Sequence, residues 1–333
     1  MPAPAELTPM LRHYLELKAG HPDALLFYRI GDFYELFFDD AVRAAALLEL
    51  TLTARHRGGP NEAPMCGVPH HALEGYVARL LRLGEKVAVC DQMEDPAQAK
   101  GLVRREVTRV LTPGTLTETA LLDGKESSYL AAVAWRESRG AGAFLEVSTG
   151  ELFFRRWTSP EEARSDLELL RPRELLLPPE SLPAGLAEGS GREGLRITRV
   201  EAAYWPSPAE AVARLRDQFG VASLRGFGLE EGEPAAVAVA AALGYAQRMR
   251  HSRLAHIRSV SARESGDALQ LDATTLANLE VLRSAREGGR GATLLAVVDE
   301  SVTAAGARTL RGWLVRPLGD LAAIETRHEA VEA

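Results

Sequence analysis

Across one Gly-Asp step the apolar period of this chain changes from that of a strand to that of a helix, and that change does most to set its fold class. Leu25 to Ile30 (LLFYRI) is a short apolar run with the length of a buried strand, ended as a turn by Gly31-Asp32. From Tyr34 to about Leu48 the apolar residues Leu36, Phe37, Ala41, Ala44, Ala45 and Leu48 recur at steps of three and four, which predicts an amphipathic helix. Leu50 and Leu52 then alternate with Thr51 and Thr53 as in a half-buried strand. The stretch from Arg55 to Pro69 (RHRGGPNEAPMCGVP) reads as an irregular loop because of its Gly and Pro content. A helix from about His71 to Leu83, a strand from Glu85 to Asp91 and a last strand near Val107 to Leu111 complete an α/β unit with a mixed sheet.

A second α/β unit follows the polar stretch from Asp123 to Ser128. Tyr129 to Trp135, Gly142 to Ser148 and Glu151 to Trp157 read as three strands, the last two joined at Thr149-Gly150 as a hairpin. A helix from Pro160 to Leu170 leads to a fourth strand, Leu175 to Leu177. Gly226 to Pro234 is Gly-rich and acidic and marks a boundary. Beyond it the pattern is helical: Ala235 to Arg250, Asp272 to Ser284, Gly306 to Val315, and Leu321 to the end.

A length of 333 residues argues for two or three domains, and 46% hydrophobic with 26% charged residues is enough apolar content for real cores. No apolar run approaches the length of a membrane span; the longest, Ala235 to Leu243, is mostly Ala. Glu6, Arg12 and Glu16 interrupt any signal-like stretch at the N-terminus. The two cysteines, Cys66 and Cys90, form no CxxC pair, which points to a reducing cytoplasmic setting. The net charge of −7 argues against a strong electrostatic grip on nucleic acid, whose phosphates dominate affinity.

Four constellations could carry chemistry. Phe33 and Glu35 at the strand-to-helix turn share a face only in extended backbone, where a ring beside a carboxylate suits a nucleobase: the ring wedges or stacks and the acid bonds the base edge. On the residues alone, core packing of Phe33 with Glu35 in a helix first turn is the favoured alternative. The loop cations Arg55, His56 and Arg57 precede a Pro-restrained PMCGVP segment that would place Met65 or Val68 against a groove. Further basic clusters at Arg104-Arg105 with Arg109, and from Arg248 to Arg258, read first as solvated faces.

Enzyme readings find less support. There is no GxxxxGK[ST] phosphate loop, since Gly124-Lys125 lacks its context. His70-His71 are neighbours without metal-ligand spacing on a helix, and no GxSxG occurs. The second unit suits an RNase H-like nuclease by strand pattern, but such chemistry needs clustered carboxylates; Tyr129 to Trp135 offers none and Glu146 stands alone.

Longer strings go beyond pattern. GDFYELFFDDA (Gly31 to Ala41), PMCGVPHHALEGYVARLLRLGEKVAVCDQMEDP (Pro64 to Pro96) and VTRVLTPGT (Val107 to Thr115) closely resemble the mismatch-recognition domain of the MutS family of DNA mismatch-repair proteins. VSTGE (Val147 to Glu151) is similar to its connector domain. LDATTLANLE (Leu271 to Glu280) and LLAVVDESVTAAGARTLRGWLVRPLGD (Leu294 to Asp320) resemble the start of its helical core or lever. Cys66 stands where the family usually has Ala, a small-for-small change.

The resemblance implies an α/β fold of two domains, a mixed-sheet mismatch-recognition domain over 1–115 and an RNase H-like connector over 125–232, followed by an incomplete all-α lever over 235–333. It implies that Phe33 inserts beside a mispaired base from the minor groove and that Glu35 hydrogen-bonds that base, with Arg57, Met65 and Pro69 as supporting DNA contacts. The implied partners are double-stranded DNA with mismatches or small unpaired loops and a MutL-type protein docking on the connector, with homodimerisation in the full-length family and no membrane. Full-length members carry a clamp and an ATPase that use ATP and Mg. None of that appears in this chain, so the expectation is an N-terminal fragment without metal, cofactor or ATP hydrolysis, weak in DNA binding, in a cytoplasmic, nucleoid-associated setting. Two other classes remain open: a protein-interaction module with negligible DNA binding, and a metal-dependent nuclease built on the connector.

Overall fold

The computed structural model describes residues 7–56, 58, 62–94, 103–116, 127–179, 182–183, 186, 195–263, 268–269, 271–284 and 291–332. The chain divides into two compact units, Met1–Leu121 with Arg192–Arg196 and Ala246–Arg253, and Leu122–Gly191 with Ile197–Tyr245 and Leu254–Ala333.

In the first unit, α1 (Pro9–Gly20) is started by the Thr8 hydroxyl, which accepts from the Leu11 amide, with Pro9 preset for the first turn. Then come β1 (Leu25–Ile30) and β2 (Phe33–Phe37), α2 (Phe38–Leu48), β3 (Thr53–Arg55), β4 (Ala63–Pro69), a 3₁₀ turn over His70–Ala72, α3 (Leu73–Arg82), β5 (Val87–Gln92) and β6 (Arg105–Leu111). The sheet order is β3-β4-β2-β1-β5-β6; β1 and β5 are parallel and the other neighbours antiparallel, a mixed sheet as expected. Ile30 pairs with Phe33, so Gly31 and Asp32 alone close the β1–β2 hairpin, and Gly31 supplies the positive φ of 59° at the first loop position.

Three expectations fail here, the first two because burial across strands overrides local pattern. The helix begins at Phe38 and not at Tyr34, because residues 33–37 are drawn into the sheet between β1 and β4. The backbone makes that abrupt change at Phe38 itself, held at a φ of 55°, a conformation costly for a bulky side chain. Second, Ala63–Pro69 is a strand and not a loop. Cys66 and Val68 are buried on its inner side, and its prolines fall near its ends. Third, Leu50–Leu52 is not a strand, Leu52 is exposed, and pairing starts only at Thr53.

Alternation then sorts this sheet into two faces. Leu25, Phe27, Leu36, Cys66, Val68, Val87 and Val89 form one, fully buried, with the Cys66 thiol donating to the Ala41 carbonyl of α2 at 3.5 Å. On the other, Leu11 and Tyr14 of α1 pack with Leu26, Tyr28, Phe37, Ala88, Cys90 and Val110. Asp40 is buried there with its desolvation offset: it accepts from the Tyr14 hydroxyl at 2.9 Å, the Leu26 amide at 3.0 Å and the Lys18 ammonium at 2.8 Å. Burial and the Asp40 charge push the Tyr14 phenol well above its usual range.

The second unit holds β7 (Leu130–Arg136), β8 (Arg139–Glu146), β9 (Glu151–Trp157), α4 (Pro160–Leu170), β10 (Glu174–Leu177), β11 (Arg196–Arg199) from Ile197, α5 (Pro208–Phe219), α6 (Pro234–Arg250) as far as Tyr245, and β12 (Ser261–Ala262). β7, β8 and β9 form an antiparallel meander and β10 returns through α4 to lie parallel to β7, in the order β11-β10-β7-β8-β9-β12. This is the RNase H-like arrangement expected. Phe144 and Phe153 stack at 5.2 Å in its core, and Gly142 is required because a Cβ there would stand 2.2 Å from the Trp157 ring. The α5 helix was not expected from apolar period, although Ser207 and Glu210 form a complete capping box at its start, with Pro208 in the first turn. Glu146 does not stand alone: it pairs in register with Glu151 across the β8–β9 hairpin, and Arg308 lies 3.8 Å away.

The C-terminal portion is helical as expected, with α7 (Ala273–Asn278), α8 (Leu294–Val298), α9 (Ala304–Val315) and α10 (Leu321–Glu332). Asp272 caps α7 by accepting from the Thr275 amide at 2.6 Å, but the helix stops at Asn278, short of Ser284, and Glu280 turns to a φ of 47°. Among the described residues no helix is long and apolar enough to cross a membrane, and no group of three His, Cys, Asp or Glu is placed to hold a metal.

Candidate nucleic-acid interface

The alternation that buries Tyr34 and Leu36 turns Phe33 and Glu35 to the opposite face of β2. Phe33 is 49% exposed, so the core-packing reading of this ring does not hold. An aromatic side chain left half in water, at the end of a paired strand, is the kind of exposed apolar group that burial on folding does not explain. The register across β2 and β4 sets its neighbours: Phe33 faces Pro69, Glu35 faces Gly67 and Phe37 faces Met65. The hairpin tip is tied down as well, since the His70 amide donates to the Asp32 carbonyl at 2.8 Å. Phe33, Glu35, Met65 and Pro69 are therefore brought to one face, where Met65 is half-buried against the core cluster of Phe37, while Val68 is buried on the other. Arg57 lies outside the described residues.

Glu35 has a partner that the sequence reading did not pair with it. Arg55 on β3 reaches across β4 and places Nη1 2.6 Å from Glu35 Oε2. Arg55 stands opposite Ala63, four residues along β4 from Gly67, so its side chain runs back along the sheet to reach the carboxylate. Burial pushes the Glu35 carboxyl above its ordinary range and the Arg55 guanidinium opposes that rise. The Arg55 guanidinium also sits 5.9 Å from the centre of the Phe37 ring. The signal that could have revealed this pair is a strand at 63–69: once β4 exists, Thr53 and Arg55 alternate onto the same face as Glu35.

The other basic clusters are differently engaged. The Arg105 guanidinium lies 5.0 Å over the Tyr28 ring and donates to the Arg29 carbonyl at 2.7 Å, a buried structural role. Arg104 is paired with Glu106, and its amide donates to Glu94 at 2.7 Å. In the second unit a His256 ring nitrogen meets the Val147 carbonyl at 2.8 Å. His70 and His71 meet edge to face at 6.2 Å on the 3₁₀ turn.

Comparison with known proteins bears on the whole chain. Residues 8–120 match the family model MutS domain I, residues 128–258 match MutS domain II and residues 274–333 match MutS domain III. A DNA mismatch repair protein MutS of Myxococcus xanthus is 46% identical over 331 residues, covering 98% of this chain and 37% of that protein. One of Symbiobacterium thermophilum is 46% identical over 333 residues, 98% of this chain and 38% of that protein. One of an Anaeromyxobacter species is 49% identical over 337 residues, 100% of this chain and 37% of that protein. The chain thus spans a little over a third of the length of these relatives.

Proposed function

This chain belongs to the MutS family of DNA mismatch-repair proteins, and from that premise we propose that its first unit binds kinked duplex DNA at a mispaired or unpaired base, with Phe33 as the wedge and Glu35 as the hydrogen-bonding group. The observation that carries this reading is the half-exposed Phe33 ring on the same strand face as Glu35, two residues along an extended backbone. Inserting a ring into the duplex requires unstacking a base step, which costs a few kcal/mol and less where the base is already weakly held. Selectivity then comes from deformability and not from a base sequence. Glu35 adds a second discrimination: a carboxylate near phosphates is unfavourable unless a displaced base offers it a donor, or the acid is protonated. Pro69, opposite the wedge on β4, and Met65, further along the same face, support the contact by shape, and Arg57 by charge.

In this proposal 1–115 forms the mismatch-recognition domain, 125–232 the connector and 235–333 the start of the lever. The whole protein acts as a homodimeric, ATP- and Mg-regulated mismatch sensor in the cytoplasm, at the nucleoid, whose connector docks a MutL-type partner. The chain by itself hydrolyses no ATP and binds DNA weakly, in keeping with its net charge of −7. The test is a titration of labelled duplexes that differ by a single unpaired thymine. Preference for the heteroduplex supports the reading; equal affinity for both, or magnesium-dependent ATP turnover by the purified chain, contradicts it.

A further inference from the structure

The Glu35–Arg55 pair raises a question that the wedge reading leaves open: one carboxylate is asked to serve two partners. Arg55 sits two strands away from Glu35, a lateral distance of about 10 Å at the usual strand spacing. Arg55 is also four residues further along, opposite Ala63 where Glu35 is opposite Gly67, so the 2.6 Å contact with Nη1 lies toward β3 and toward the Phe37 end of β2. A base displaced by Phe33 would lie in another direction, along β2 toward residue 33. Turning the carboxylate onto such a base rotates it away from β3 and breaks the contact with Arg55.

What is released matters. With side chains 31% and 15% exposed, Arg55 and Glu35 are partly desolvated, so their attraction is stronger than in a fully solvated pair. While the pair holds, the guanidinium charge is masked from any phosphate nearby. Once Glu35 leaves, Arg55 is a cation on the DNA-facing side of the sheet, free to take a phosphate oxygen in the two-pronged geometry that guanidinium favours.

We propose that Glu35 and Arg55 form a latch: Glu35 holds Arg55 in the DNA-free chain and surrenders it to a backbone phosphate on turning to a displaced base, so that one phosphate contact exists only on mismatched DNA. The proposal rests on the mismatch-binding reading and deepens it. Base recognition and backbone grip become one event, and Arg55 is a specificity-determining residue although it touches no base. In a chain of net negative charge, one added phosphate contact is a large share of the electrostatic grip.

Salt dependence reads this directly, because each neutralised phosphate contributes about 0.9 to the slope of log affinity against log salt. The chain is titrated with a homoduplex and with the unpaired-thymine heteroduplex across the range from about 50 to about 200 mM salt used for such slopes. The expected wild-type result is a heteroduplex slope steeper by about 0.9, so that the preference shrinks about threefold over that range. Glu35→Gln frees Arg55 on every duplex and steepens the homoduplex slope to match. Arg55→Gln flattens the heteroduplex slope to the homoduplex value, and Arg55→Lys, which keeps the charge, restores the difference. A residue that merely supported the fold would change affinities without changing this difference. Heteroduplex preference with equal slopes in wild type, or a slope difference that persists in Arg55→Gln, overturns the latch and leaves the wedge standing. No heteroduplex preference at any salt overturns the wedge reading and the latch with it.

Discussion

Gly67 faces Glu35 across the β2–β4 ladder so closely that a Cβ built on it would stand 3.4 Å from the Glu35 Cγ and 3.3 Å from the Tyr34 carbonyl oxygen. The glycine leaves the Glu35 side chain room over β4. Gly67→Ala is expected to press on the Tyr34 carbonyl oxygen and to bring a methyl group against the Glu35 side chain, destabilising the unit by about 1 kcal/mol and shifting the carboxylate. A thermal melt and a homoduplex-heteroduplex titration check this together. A variant with unchanged melting temperature and unchanged preference would show that the close approach has no consequence.

Phe33 makes the opposite kind of prediction, since half of its ring is already in water. Phe33→Ala should leave stability within about 0.5 kcal/mol of wild type. Its heteroduplex preference should fall by about 1–3 kcal/mol, the worth of base–aromatic stacking, or roughly 5- to 150-fold in the affinity ratio. A gel-shift titration giving mutant and wild type the same ratio would refute the wedge.

In the second unit Asp166 on α4 accepts from the Trp157 indole at 2.6 Å and faces Arg155 at 2.7 Å, both charged side chains being 10% exposed. Removing the carboxylate takes a partner from a buried guanidinium and from a buried indole N–H at once. Asp166→Ala should cost about 3–5 kcal/mol. Urea unfolding followed by tryptophan fluorescence measures it, and a loss below about 1 kcal/mol would show that the pair is not what holds α4 to β9.

Glu146 sets a pH dependence. Burial pushes its carboxyl above the ordinary range, Arg308 opposes the rise, and Glu151 adds to it. A raised folded-state value means that the folded chain binds this proton more readily than the unfolded one. The stabilisation from protonation is complete below the unfolded value and lost as pH rises through the folded one. Glu146→Gln should therefore be more stable than wild type at neutral pH, with the gap closing as pH falls below the ordinary glutamate range. Melting temperatures across that range decide it; a gap that widens toward acid would reverse the assignment.

Much of this molecule was legible locally. The LLFYRI run, the Pro160–Leu170 helix between its Ser159 cap and the left-handed Arg171, and the Thr149-Gly150 hairpin are each set by residues within a few positions of one another. Such signals survive in the linear chain because they are matters of period, capping and turn geometry. The long strings from Gly31 to Thr115 likewise carried the family.

What the linear chain did not hold was anything decided two strands away. Residues 34–37 have a helical apolar spacing, yet they form a strand, because pairing to both β1 and β4 buries Tyr34, Leu36 and Phe37 together. PMCGVP has the composition of a loop, yet its Cys66 and Val68 are core residues of an inner strand. The contact between Glu35 and Arg55 exists only because that strand does, since β4 is what pairs with both β2 and β3. By itself the sequence determined the order of elements, the family and the residues with chemistry to offer. The tertiary structure decided which face those residues share and which charges meet, because sheet register couples positions whose separation along the chain carries no periodic signal.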